Sequence, residues 1–220
     1  ERSRDPRETE SGGHASFYSL AYEAERPELF LKTSNMLRVA GPNAPIGIRT
    51  DSRWTVPEPE LAVVVDRDGG IIRYTIGNDV SARDIEGQNP LYLPQAKAFR
   101  GCCALGPTLY LAPEGMDATR WVIELRILGP DGSEVFSSQV RVGSMRRSVD
   151  ELVSYLFRDN DIATGTVLMT GTGIVPEDDF SLQPGQTVEI YMEPVGVLRN
   201  PVLLADDPAF GAGTAAIERT

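Results

Sequence analysis

PEPELAVVVDRDGGIIRYTIGNDVSARD, residues 57–84, decides the fold. Two β-branched runs flank DRDGG, and the Asp-Gly and Gly-Gly steps supply the backbone freedom a tight turn needs. The stretch therefore predicts a β-hairpin. Glu58 and Glu60 stand two apart at the start of the first run. Strand side chains alternate, so both point to the same face. Two neighbouring carboxylates repel unless something neutralises them. The plain alternative is a pair of solvent-facing glutamates on an edge strand, where Pro57 and Pro59 would be tolerated. Pairing 61–66 with 71–77 brings Asp79 back beside Glu60. Three carboxylates then meet at one end of the sheet. Such an all-oxygen donor set suits a hard cation, Mg²⁺, Mn²⁺ or Ca²⁺. A cation of this kind can take the carboxylate and keto oxygens of a 2-oxo acid and act on it as a Lewis acid.

The hairpin runs on into NDVSARDIEGQNPLYLPQAKAF, residues 78–99, which gathers Asp79, Arg83, Asp84, Glu86, Gln95 and Lys97. Lys97 is one of two lysines in the chain, Lys32 being the other.

The same signals recur further along. CCALGPTLYLA predicts a strand, and RWVIELRILGPDGSEVFSSQV (120–140) a second hairpin turning at GPDG. SVDELVSYLFRD (148–159) is the best helix. Ser148 and Glu151 form an S-x-x-E capping box ahead of Val149, Leu152, Val153 and Leu156 at helical spacing. TVLMTGTGI (166–174) and TVEIYME (187–193) read as strands around the turn-rich PEDDFSLQPGQ. Residues 1–27 read as a loop or lid, and the Ala/Gly/Asp-rich stretch from Leu203 as a loosely held tail after a catalytic domain over 28–202. The count predicts a mainly β (α+β) fold with one main helix.

Composition narrows the function. The 220 residues carry a net charge of −11, which speaks against nucleic acid or an anionic membrane as the main partner. A locally positive pocket could still take a small anion. No apolar run approaches the ~18 residues of a membrane span. The charged start, ERSRDPRETES, is unlike a signal peptide. Cys102 and Cys103 are adjacent, a poor arrangement for a structural disulfide, and read as reduced small residues of a cytoplasmic protein. His14 is the one histidine, which excludes multi-histidine zinc sites and reads as a loop residue.

PEPELAVVVD, YTIGNDVSARD and QAKAF together resemble the fumarylacetoacetate hydrolase superfamily, and TGT at 170–172 matches one of its late elements. The resemblance runs from about residue 28 to 201. It implies a mixed β-roll or sandwich, a homodimer or dimer of dimers, and a divalent metal, Mg²⁺ first, held by Glu58, Glu60 and Asp79. It places Lys97 near the metal as a catalytic ammonium and Thr172 at the substrate end. Gln95 would face the substrate, with Arg83 and Asp84 bracing the turn as an ion pair.

RTDSRWTVPEPEL and NPLYLPQAKAFRGCCALGP, with ERSRD, RPELFLK and MRRSVDELVSYLFRDN, resemble one branch, the 2-dehydro-3-deoxy-D-pentonate (arabinonate or xylonate) dehydratases. Hydrolytic members carry a His and a Glu on the lid to activate water. Here Ser3 falls near that histidine's place. The resemblance therefore implies dehydration of a small anionic 2-oxo-3-deoxy acid to 2,5-dioxopentanoate. Glu28 is the candidate acid/base and Glu10 a second choice. Arg2 and Arg4 would bind substrate from the lid. The alternatives are a C–C hydrolase or 2-oxo acid decarboxylase of the same superfamily, and a non-catalytic metal-binding member. Members of this branch usually carry a further N-terminal segment, whereas this chain opens at Glu1 inside a motif.

Overall fold

The computed structural model describes residues 24–111, 113 and 115–212. The sequence-derived candidates Arg2, Arg4 and Glu10, together with Ser3 and His14, lie outside the described residues.

The opening hairpin forms as expected. β1 (Val39–Ala40), β2 (Ile46–Ile48) and β3 (Thr55–Val56) lead into β4 (Pro59–Val65) and β5 (Ile71–Asp79). β4 and β5 are antiparallel, with Pro59 opposite Asn78 and Glu60 opposite Gly77. Asp66 stabilises the turn by accepting from the backbone N–H groups of Asp68 and Gly70. β6 (Ser81–Ala82) pairs with β3. A short helix, Arg83–Gln88, follows.

β7 (Cys103–Leu111) lies beside β5, and β1 runs parallel along its other edge. β8 (Val122–Leu128) and β9 (Glu134–Arg141) form the second hairpin. β10 (Thr166–Met169) covers the far side of β4. β11 (Thr187–Met192) and β12 (Gly196–Leu204) complete the strands. One five-stranded sheet has the order β1-β7-β5-β4-β10, the other β2-β12-β11-β8-β9. Each mixes antiparallel pairs with one parallel pair at an edge. The fold is thus mainly β, with mixed sheets as expected.

The core fills the space between the sheets. Leu61, Val63 and Ile76 from the first meet Leu125, Ile127, Ile190 and Leu198 from the second in one buried cluster. Alternation along β8 is regular, with Ile123, Leu125 and Ile127 buried. β4 departs from alternation: all seven of its residues are buried, because both its faces and, along Ala62–Val65, both its edges are covered.

The main helix spans Val149–Leu156, and Ser148 Oγ accepts from the Glu151 N–H. The Glu151 carboxylate pairs with Arg147 at 2.6 Å. Arg147 also donates to the backbone oxygens of Ala24 and Glu25, which ties the incoming chain to this helix.

One alternative is excluded and one expectation needs correction. β4 is no edge strand, and Glu58 and Glu60 are 6% and 4% exposed. Pro59 is admissible because it is the strand's first residue, where the missing N–H costs no ladder bond. Leu203 and Leu204 are not in a loose tail. They pair with Gly47 and Ile48 as the end of β12, and helix Ala209–Ala212 follows.

Candidate metal and acid/base centre

Glu58, Glu60 and Asp79 converge. Each offers one carboxylate oxygen, all within 4.8 Å of one another, and all three residues are buried. The hairpin register does this: the Asp79 N–H donates to the Glu58 carbonyl at 2.9 Å, which locks the end of β5 to the approach of β4.

Each carboxylate has different support. Glu58 receives Arg83 at 2.8 Å and Lys97 at 2.7 Å on its two oxygens. Burial alone would raise its pKa, but Lys97 and Arg83 outweigh that and hold the carboxyl well below its usual value. Glu60 accepts from the Gly171 N–H at 2.6 Å. That donor is presented because Gly171 takes a left-handed φ of 94°, which ends β10 and turns TGT toward the cluster. Burial, with Asp79 and Glu58 adding to it, pushes Glu60 up to about 8. Asp79 ion-pairs with Lys32 through Oδ1 and with Lys97 at 3.4 Å through Oδ2.

Lys97 ends the short helix Leu93–Lys97. Its Nζ donates to Ser81 Oγ at 2.6 Å and lies 3.8 Å from Glu86. Burial works against its charge, yet Glu58, Asp79 and Glu86 raise its pKa above the normal lysine value. It stays an ammonium. The Phe30 ring lies over it, 5.7 Å from its centroid.

The cluster floors a cavity of about 1990 Å³ whose walls include Glu28, Phe30, Lys32, Glu86 and Thr172. Glu28 keeps part of its side chain in solvent at the rim. Partial burial raises its pKa, and Glu86, Glu58 and Asp79 add to this against Lys97. A raised pKa suits a carboxyl that must both take and give a proton.

The structure thus brings together Glu28, Glu58, Glu60, Asp79, Arg83, Lys97 and Thr172. It does not bring in Gln95, which is exposed on the helix; the Gln95 backbone oxygen accepts from Arg49 at 3.1 Å. Arg83 and Asp84 do separate jobs: Arg83 neutralises Glu58, while Asp84 accepts from Ser52 Oγ at 2.7 Å and the Arg53 N–H at 2.8 Å. Sequence reasoning assigned no role to Lys32, Ser81, Glu86 or Gly171. The scarcity of lysine was a usable signal, since both lysines of the chain sit on the acidic cluster.

The donor set tests well for a hard cation. Burial beside two other carboxylates disfavours charge on Glu60. A divalent ion would offset that charge with oxygen ligands only.

Residues 14–203 match the family described as fumarylacetoacetate (FAA) hydrolase C-terminal. The chain belongs to this family. It is 46% identical over 187 residues to the 2-dehydro-3-deoxy-D-arabinonate dehydratase of Saccharolobus solfataricus, covering 85% of this chain and 62% of that protein. It is 44% identical over 200 residues to the probable 2-keto-3-deoxyxylonate dehydratase of Haloferax volcanii, covering 91% and 68%. A solved structure of 2-keto-3-deoxy-D-arabinonate dehydratase, complexed with magnesium and 2,5-dioxopentanoate, superposes with a TM-score of 0.81 at 46% identity, over 84% of this chain and 66% of that one. The chain of this family member therefore spans roughly three fifths to two thirds of the length of these relatives. Among the described residues, no helix is long and apolar enough to cross a membrane.

Proposed function

We propose that this chain carries the catalytic centre of a cation-dependent dehydratase, acting on a 2-dehydro-3-deoxy pentonate of the arabinonate or xylonate type. The observation that carries the reading is a buried Glu58–Glu60–Asp79 cluster with Lys97 laid across it, at the floor of a cavity rimmed by Glu28. The likeness to dehydratases of such acids supports the substrate class.

Glu58, Glu60 and Asp79 would hold Mg²⁺, with Mn²⁺ or Ca²⁺ as substitutes, which supplies Lewis acidity to a bound 2-oxo acid. The chain's own groups do the rest. Lys97, kept charged by its carboxylate neighbours, steadies negative charge on the 2-oxo group when C3 loses a proton. Glu28 takes that C3 proton as a carboxylate and returns it, as an acid, to the departing C4 hydroxyl. Loss of water leaves a C3–C4 double bond. A proton shift from C5 to C3 then gives the C4–C5 enol, and transfer of its hydroxyl proton to C4 gives the aldehyde, so the pentonate becomes 2,5-dioxopentanoate plus one water. Thr172 offers a hydroxyl to the substrate from the cavity wall. Phe30 keeps water off the Lys97 ammonium.

The homodimer and the cytoplasmic setting implied by the resemblance go with this reading, and equilibrium sedimentation tests the first. The function itself is tested by a Mg²⁺-dependent assay on 2-dehydro-3-deoxy-D-arabinonate and its xylonate counterpart, with 2,5-dioxopentanoate followed through a coupled aldehyde dehydrogenase. Turnover abolished by EDTA supports the dehydratase. Pyruvate released from acylpyruvates, with no dehydration, would move the chain to C–C hydrolysis.

A further inference from the structure

Lys32 is a charged group at this centre that the proposed reaction leaves without a task. It is 7% exposed. Its ammonium sits on Asp79 Oδ1 and donates to the Val80 carbonyl at 2.9 Å. The Phe99 ring lies 5.8 Å away. Among the described residues, Asp79 is its one carboxylate partner within ion-pair distance.

The two lysines of the chain are held in different ways. Lys97 ends a helix and is fixed by Glu58 and Ser81 at 2.7 and 2.6 Å, with Asp79 a more distant partner at 3.4 Å. Lys32 sits on an irregular segment between Pro27 and the 3-10 turn Met36–Arg38, and among the described residues its ion pair is with a cation-ligand candidate. A divalent ion arriving at Asp79 meets an ammonium already there. The two must share the carboxylate or the ammonium must withdraw, with the Val80 carbonyl as its remaining anchor.

From this geometry we infer that Lys32 is a built-in competitor for the cation at Asp79: it keeps the carboxylate cluster neutralised when no metal is bound and holds divalent affinity down when one is. The inference rests on the cation reading given above and deepens it. Charge accounting agrees. Glu58, Glu60, Asp79 and Glu86 bring four negative charges when ionised, and Lys32, Lys97 and Arg83 bring three positive. With all four carboxylates ionised and a divalent ion bound, the centre carries +1, a suitable balance for a monoanionic 2-oxo acid. Without Lys32 the loaded centre would be neutral, with a tighter ion and a weaker hold on the anion. Lys32 is on this view a positioning residue, acting on the cation through Asp79.

The test uses Mn²⁺ alone as probe, titrated by calorimetry and by electron paramagnetic resonance against the wild-type chain, Lys32→Met and Lys32→Arg. Lys32→Met should bind Mn²⁺ at least about tenfold more tightly, since a positive charge a few ångströms from the ion is removed. Lys32→Arg, which keeps the charge, should stay near wild type. An unchanged or weakened Lys32→Met would overturn the inference, because a merely orienting lysine can only help the metal. A second measurement needs no charge-removing variant. With two lysines in the chain, ¹³C-lysine labelling gives two side-chain signals, and loss of one in Lys32→Arg assigns them. Saturating Mg²⁺ should shift the Lys32 signal. A Lys32 signal that stays put while that of Lys97 moves counts against the competition. A wild-type chain that takes up no Mn²⁺ at all brings down the cation reading itself, and a chain that binds Mn²⁺ with no change in Lys32→Met brings down this inference only.

Discussion

Lys97 Nζ reaches Glu58 Oε2 at 2.7 Å across 39 positions of sequence, and both groups are almost wholly buried. Neither charge would be stable there alone. A buried ion pair is dear to form and dearer to break, since removing one partner strands the other and costs ~3–5 kcal/mol. The contact therefore ties the helix Leu93–Lys97 to the hairpin and fixes the ammonium over the cluster at once.

Lys97→Ala should lose turnover by at least about a hundredfold, the usual effect of deleting one group that stabilises charge in the transition state. It should also melt earlier, because Glu58 keeps Arg83 but loses its second cation. Lys97→Arg should not rescue activity, because a planar guanidinium cannot stand in for a compact ammonium between Glu58, Ser81 and Asp79. Steady-state kinetics with circular-dichroism melting separates the two effects. An active, stable Lys97→Ala would remove the lysine from the proposed chemistry.

Adding Mg²⁺ should raise the melting temperature of the chain. At about a hundredfold excess over Kd the gain is ~2.7 kcal/mol, which for a chain of this size is several degrees. Asp79→Ala should abolish the Mg²⁺-dependent part while leaving a folded protein. Differential scanning calorimetry with and without EDTA reads this directly. A melting curve indifferent to Mg²⁺ in the wild type would favour a non-catalytic role for the cluster.

Most of the site could be read from the sequence because it is local. Glu58, Glu60 and Asp79 lie on one hairpin, and the alternation of strand side chains with the DRDGG turn was enough to bring them together. Lys97 ends the second of the two short helices that follow. Gly171 and Lys32 arrive from segments 111 and 47 residues away from their partners Glu60 and Asp79, and no periodic pattern records such a meeting. The edge-strand alternative for β4 was tempting because Pro57 and Pro59 are poor strand formers. It fails because β10, which covers the other side of β4, is a short strand whose pairing partner its own sequence does not name. β12 went unread for a related reason: GVLRNPVLL holds a proline and lacks clean alternation, yet it is central, with β11 on one side and β2 on the other.

The pH dependence of the metal-free chain follows from Glu60. Its folded pKa, about 8, exceeds the ordinary carboxylate value of 4.5. Between those two values the folded state holds a proton that the unfolded state has released, so stability falls as pH rises through the window. A bound cation needs Glu60 ionised, so it releases this proton and gains affinity as pH climbs. The Mg²⁺-induced rise in melting temperature should be larger at about pH 9 than at about pH 6. Calorimetric titration in buffers of different ionisation heat should show close to one proton released per ion at the lower pH and few at the higher. Equal proton release at both would place the titrating group elsewhere.

Glu28 is the one carboxyl on the cavity rim proposed to move protons. Burial and the nearby Glu86 raise its pKa, which suits a group that must act as base and then acid. It lies outside the Glu58–Glu60–Asp79 cluster, so Glu28→Gln should keep Mn²⁺ affinity within about twofold while turnover falls about 10²–10⁴-fold, the typical contribution of general acid–base catalysis. Exchange of the C3 protons of a 2-oxo-3-deoxy acid into D₂O, followed by NMR, separates its two tasks. If Glu28 is the base, Glu28→Gln loses both exchange and dehydration. If exchange persists and only dehydration stops, Glu28 serves as the acid for the C4 hydroxyl and another group takes the C3 proton. A Glu28→Gln variant that dehydrates at the wild-type rate would end its candidacy for either role.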